Sequence, residues 1–171
     1  MLLLRLVIGG LFVGHGAQKL FGSFGGYGIE GTGGFMSKLG YRNGRAMAGL
    51  AGLAELASGA LLVLGFMTPF AAAGIIGVMV NAVIAVHAKN GMWNQDGGSE
   101  YPLVLSVAAA AVTMAGPGAI SVDEALGLDL AGVAWGASAI LLGVIAGVII
   151  AMSRRPAAPQ AAQEQQQRRA A

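Results

Sequence analysis

Five apolar stretches, most of them near twenty residues long, constrain this chain more than any other feature. They run from about Leu2 to Phe21, Arg45 to Gly65, Thr68 to Ala88, Pro102 to Gly116 and Leu130 to Met152. A helix that crosses hydrocarbon needs about 20 predominantly apolar residues at about 1.5 Å each. Four stretches reach that length, and the fourth in order does so only with its flanks or with local thinning of the bilayer. Strands of a membrane barrel would alternate apolar and polar residues over about ten positions, and none of these stretches alternates. The 171 residues are 56% hydrophobic and 11% charged, against about 25% charged in a soluble domain. The expected class is therefore all-α, a polytopic membrane helix bundle in contact with lipid, and a soluble globular enzyme is excluded.

The first stretch lacks the basic start and small-x-small end of a signal peptide. It closes on Gln18-Lys19-Leu20-Phe21 and is expected to be a mature helix. The connection from Gly22 to Gly44 is long and glycine-rich, and its Phe35-Met36 and Lys38-Leu39 suit a short interfacial helix. Phe66 to Pro69 is a tight turn, with Pro69 fitting the first turn of the next helix. Ser121 and Glu124 have capping-box spacing for a brief helix. From Ser153 onward the composition is Ala, Pro, Gln and Arg, which cannot bury a core and is expected to be disordered.

Basic residues set the expected orientation. Lys38, Arg42 and Arg45 flank the first connection, Lys89 lies on the third, and Arg154, Arg155, Arg168 and Arg169 are in the tail. With five spans these regions share one side, which places the N-terminus outside and the tail in the cytoplasm. This clustering at one membrane face accounts for the basic balance, so no nucleic-acid partner is expected. Small-xxx-small spacings at Gly10/Gly14, Gly132/Gly136 and Gly143/Gly147 permit close helix approach. They suit packing inside the bundle, or a homo-oligomer formed through the fifth helix.

Ionisable residues within a bilayer are costly and tend to mark function. Arg5, His15, Lys19, Glu55 and His87, with the polar Asn81, form the expected intramembrane cluster. Arg5, Lys19 and His15 fall within about 80° of one another on the first helix. Glu55 lies about 15 Å into the second, between the levels of Arg5 and His15, so an Arg5–Glu55 ion pair is expected. Lys19 is expected to snorkel to the interface, and Asn81 to bridge helices. Tyr27, Trp93 and Tyr101 suit an aromatic belt, and Glu30, Trp93, Asp96 and Glu100 could face a partner. Two histidines and no cysteine argue against a metal or haem site. They also exclude chemistry through a protein thiol.

The residues that carry a resemblance lie in order along the chain. Leu3-Leu4-Arg5 opens the first helix and Gly14-His15-Gly16-Ala17-Gln18-Lys19-Leu20-Phe21 closes it. The second carries Gly52-Leu53-Ala54-Glu55-Leu56-Ala57-Ser58-Gly59. Gly65-Phe66-Met67-Thr68-Pro69, His87, Glu100, Gly116-Pro117-Gly118 and Ser121-Val122-Asp123 follow. Over about residues 2–127 the chain resembles DoxX, a family of small bacterial integral membrane proteins. The resemblance implies a four-helix membrane core at 1–129, with an additional transmembrane helix at 130–152 and a tail at 153–171. It also implies a bacterial cell membrane location and an association with thiosulfate:quinone oxidoreductase. Relatives are linked to superoxide dismutase and a sulfurtransferase gathered at the membrane. The function this implies is an accessory or anchor subunit of an oxidoreductase complex, linked to sulfur or oxidative stress. The alternatives are a quinone-interacting subunit, with quinone as cofactor, and a small-solute or proton pathway through Glu55. Whether the chain is itself an enzyme stays open.

Overall fold

A computed structural model describes residues 1–155; the tail from 156, with Arg168 and Arg169, lies outside the described residues. The described chain is helical: α1 (Leu2–Phe21), α2 (Gly28–Lys38), α3 (Gly44–Leu64), α4 (Thr68–Ala82), α5 (Glu100–Ala115), α6 (Val122–Ala125) and α7 (Val133–Met152). Helix α4 runs on through a π-helical turn, Val83–His87, and a 3-10 turn, Ala88–Asn90. The connection expected to hold an interfacial helix contains α2, and the Ser121 side chain accepts from Glu124 N to start α6.

Among the described residues three helices are long and apolar enough to cross a membrane: Gly44–Leu64, Thr68–Asn90 and Val133–Met152. This is fewer than expected. Helix α1 has the length, but Arg5, His15, Gln18 and Lys19 dilute its apolar character. Helix α5 is 16 residues long, short of a full crossing without its flanks.

Local signals fix the ends. Asn43 caps α3, its side chain accepting from Ala46 N at 3.1 Å. Gly65 ends α3 at φ 62°, a left-handed conformation that costs glycine nothing. Pro69 stands in the first turn of α4, where its missing N–H is no loss.

Helix α1 packs most extensively against α3, and α4 against α7 and α5. Helices α1 and α3 run antiparallel with their backbones almost touching. A Cβ at Gly9 would lie 2.6 Å from Gly59 O, and one at Gly16 would lie 2.7 Å from Gly52 O. Advancing seven residues along α1 thus retreats seven along α3. The small residues expected to mediate this packing were Gly10 and Gly14, yet a Cβ at either meets nothing within 4 Å. They lie off the contact line of α1, about 100° round from Gly9 for Gly10 and about 140° for Gly14. Of the residues expected on the fifth helix, three pack within the chain: a Cβ at Gly136 would run into the Met114 side chain, one at Gly143 would meet Ile76 Cβ at 2.7 Å, and one at Gly147 would meet Gly77 O at 2.6 Å, whereas a Cβ at Gly132 meets nothing within 4 Å.

One core cluster joins Ile8, Phe12, Leu62, Ile75, Leu105 and Val112 with alanines of α4, α5 and α7. A second, of Met36, Tyr41 and Ala48, seals α2 against α3, with Ile150 of α7 alongside. The two ends of the bundle differ. Met1 lies near Gly118, beside the α5–α6 loop. At the opposite end Arg155 N donates to Gly40 O at 2.9 Å, and Arg154 donates to the carbonyls of Ile84 and Ala85. Those carbonyls belong to the π-turn. Lys38, Arg42, Arg45 and Lys89 sit at this same end by their places in the element order, so it is the basic end.

Candidate functional site

Helical side chains lean toward their own N-terminus, and this decides who meets whom. On α1 that direction carries Arg5 away from the bundle centre and Lys19 toward it. On antiparallel α3 it carries Glu55 toward the basic end. Lys19 Nζ accordingly donates to both Glu55 oxygens, at 2.6 and 2.5 Å. The Lys19 side chain is 25% exposed and that of Glu55 is 4% exposed. The expected Arg5–Glu55 pair does not form. In the glycine-set register Arg5 stands opposite about Val63, eight residues from Glu55 and so about 12 Å along the axis. That is beyond the reach of an arginine. Lys19 likewise points inward to a carboxylate instead of snorkelling out.

Arg5 instead closes the opposite end. It is 1% exposed and donates to Pro117 O at 2.9 Å and Ile120 O at 2.6 Å. Asp123, fully buried, exerts a coulombic pull on it. The Asp123 carboxylate accepts from Met67 N at 2.8 Å, Thr68 N at 3.0 Å and the Thr68 hydroxyl at 2.6 Å. Its own N–H donates to Gly65 O. This clasp ties α1, the α3–α4 turn and the α5–α6 loop together, and it holds the acceptors that sequence reasoning did not assign to Arg5.

The other five members of the expected cluster converge. His15, Lys19, Glu55, Asn81 and His87 all line one cavity of about 300 Å³ between α1, α3, α4 and α5, together with Tyr101. The rest of its wall is largely apolar, including Met36, Val78, Met79, Val86 and Leu105. His87 Nδ1 donates to Gly97 O at 2.7 Å, and His15 Nδ1 donates to Gln18 Oε1 at 3.1 Å. With Nδ1 of each ring engaged as a donor, Nε2 is the nitrogen that can accept a proton. Asn81 Oδ1 accepts from the Tyr41 hydroxyl at 2.6 Å. Tyr41 was not singled out from the sequence; it stands between Gly40 and Arg42 in the connection between α2 and α3, and nothing there marks its hydroxyl as having a partner 40 residues away. His87 ends the π-turn, a distortion often found at functional sites.

Lys19 and Phe35 also line a second cavity of about 690 Å³, which reaches Gln18, Tyr27, Thr32 and Lys38 beside α2. The cluster is therefore adjoined by a vestibule at the basic end.

The expected partner-facing residues are spread over that end. Trp93 is 62% exposed and Asp96 is exposed. Glu30 is exposed but pairs with Arg45 at 3.0 Å, and Glu100 accepts from Asn94 N at 3.0 Å. Among the described residues no three His, Asp or Glu side chains gather as metal ligands.

The site lies mainly on α1, α3 and α4. The family model for DoxX matches residues 1–88, just over half the chain and all three of those helices. No curated protein and no solved structure matches the sequence. Its apolar helices are those of a membrane protein, and the chain belongs to the DoxX family.

Proposed function

We propose that this chain is an accessory membrane subunit of a quinone-linked oxidoreductase, and that its cavity receives the quinone head group. The observation that carries the reading is the convergence of Lys19, Glu55, His15, His87, Asn81 and Tyr101 on one otherwise apolar cavity in the bundle. A quinone head group is a flat apolar ring with two carbonyl oxygens. Binding it takes an apolar cleft and a few convergent hydrogen-bonding groups, and the cavity has both. A bound quinone supplies storage for electrons and protons. The chain's own residues hold and exchange protons around it. Lys19 and Tyr101 are donors suited to carbonyl oxygens, Glu55 holds the Lys19 ammonium in place, and Nε2 of His15 or His87 can carry a proton. The vestibule at Lys19 and Phe35 connects these groups to the polar end.

Support for the accessory role comes from the family resemblance and from the basic end, where Trp93 and Asp96 are exposed. A soluble redox enzyme, of the superoxide dismutase or sulfurtransferase kind, would dock there. The basic end faces the cytoplasm of a bacterial cell by the positive-inside rule.

The test is to crosslink tagged protein in its native membrane, solubilise it, and analyse both bound proteins and extracted lipid. The expected result is a quinone retained in near-stoichiometric amount and lost from Glu55→Gln, with a soluble oxidoreductase crosslinked to the basic end. Protein purified without any quinone, from membranes that contain it, would overturn the cavity reading. A chain that crosslinks only to itself would overturn the accessory role.

A further inference from the structure

We infer that the ligand of this site is a long-tailed membrane amphiphile that enters sideways from the bilayer, its tail lying in a groove between α4, α5 and α7. The inference rests on the head-group reading above. The groove has a volume of about 570 Å³ and is lined by Ile76, Val80, Ala110, Ala111, Ile140 and Val144, among others. It shares two wall residues with the polar cavity, Met79 and Pro102. On one side of that divide lie the lysine, glutamate, histidines and tyrosine. On the other the wall is apolar apart from Ser99 and Ser106, and Ser106 already donates to Pro102 O at 2.8 Å. Polarity thus changes sharply across a pair of side chains, in the order that a polar head joined to a hydrocarbon tail requires.

The divide can open. Met79 is an unbranched thioether with three rotatable bonds. Pro102 stands in the first turn of α5, where it takes no backbone hydrogen bond with it when α5 shifts. The groove faces lipid: Leu103, Val107 and Met114 along it are exposed. Its far wall is α7, which like α5 lies beyond the matched residues 1–88, so two helices outside that region supply most of the surface for the tail.

The test uses wild-type protein in nanodiscs with a quinone analogue that carries a photoreactive diazirine midway along an isoprenoid-length tail. Labelled residues are located by mass spectrometry, with and without an excess of tailless quinone. Labels on α5 and α7 within the groove, displaced by the tailless competitor, are expected. Labels scattered over lipid-facing residues, or groove labels that the competitor does not displace, would overturn the inference, since ordinary lipid-like filling gives both. Tailless quinone that fails to bind at all would instead overturn the head-group reading on which this rests.

A variant pair provides a second readout. Ala111→Phe fills the groove from an exposed position and should weaken the tailed analogue about tenfold, leaving the tailless one unchanged. Val104→Phe, outside the groove, should change neither. Equal affinity of Ala111→Phe and wild type for the tailed analogue would also refute the placement of the tail.

Discussion

Replacing Lys19 with methionine should cost this protein more than replacing Glu55 with glutamine, although both remove one half of the same ion pair. The asymmetry comes from burial. The Glu55 side chain is 4% exposed and that of Lys19 is 25% exposed. Lys19→Met leaves a buried carboxylate without its cation, at a cost of about 3–5 kcal/mol. Glu55→Gln leaves an amide that still accepts from Lys19, and a lysine whose flexible stem can turn its ammonium toward the vestibule. That loss should be about 1 kcal/mol. Removing both charges together, in Lys19→Met with Glu55→Leu, should return stability to within about 1–2 kcal/mol of wild type, because a buried pair contributes little beyond its apolar replacement. Arg5→Leu combined with Glu55→Leu should show simple additivity, since the two residues share no partner. The assay is unfolding in mixed micelles against increasing SDS fraction, followed by circular dichroism. Rescue of Glu55→Leu by Arg5→Leu, or a Lys19/Glu55 double variant as unstable as the sum of its singles, would refute the register argument.

Neighbouring glycines on α1 should respond oppositely to alanine. Gly9→Ala drives a Cβ into Gly59 O and should lose about 1–3 kcal/mol, whereas Gly10→Ala meets open space and should gain up to about 1 kcal/mol from helix propensity; the same unfolding assay compares them. Asp123→Ala orphans two backbone donors and leaves Arg5 without a nearby anion, so a loss of about 3–5 kcal/mol is expected, read as a lowered Tm in detergent. Tyr41→Phe removes only the bond to Asn81 and should cost about 1 kcal/mol; a much larger loss would show that Tyr41 supports the cavity in some further way.

The apolar stretches were legible because hydrophobic runs near bilayer length have few alternative folds. Their observed bounds fall within a few residues of the expected ones, with α3 at Gly44–Leu64 and α5 at Glu100–Ala115. The grouping of His15, Lys19, Glu55, Asn81 and His87 was legible in outline, since polar residues in lipid must find one another. The pairing was not. Depth counted in residues places Glu55 between Arg5 and His15, but the lean of each side chain along its helix moves their charged tips by several ångströms in opposite directions. The glycines that set the α1–α3 register are Gly9 and Gly16 against Gly59 and Gly52. Their seven-residue spacing does not advertise itself as Gly10-xxx-Gly14 does. The partners of Arg5 are main-chain carbonyls, and a backbone carbonyl has no signature in sequence.

The Arg5 clasp also bears on how the protein is made. Pro117, one of the two carbonyls that hold Arg5, is 112 positions further along the chain. Synthesis at about 5–20 residues per second leaves this arginine without its acceptors for on the order of ten seconds after it emerges. During that interval the nascent helical hairpin of α1 and α3 must keep a cation at the membrane surface, in water or against lipid phosphates. The bundle is completed only when the α5–α6 loop arrives to receive it. Insertion of the last third of the chain is therefore the step that commits the first helix to its final depth.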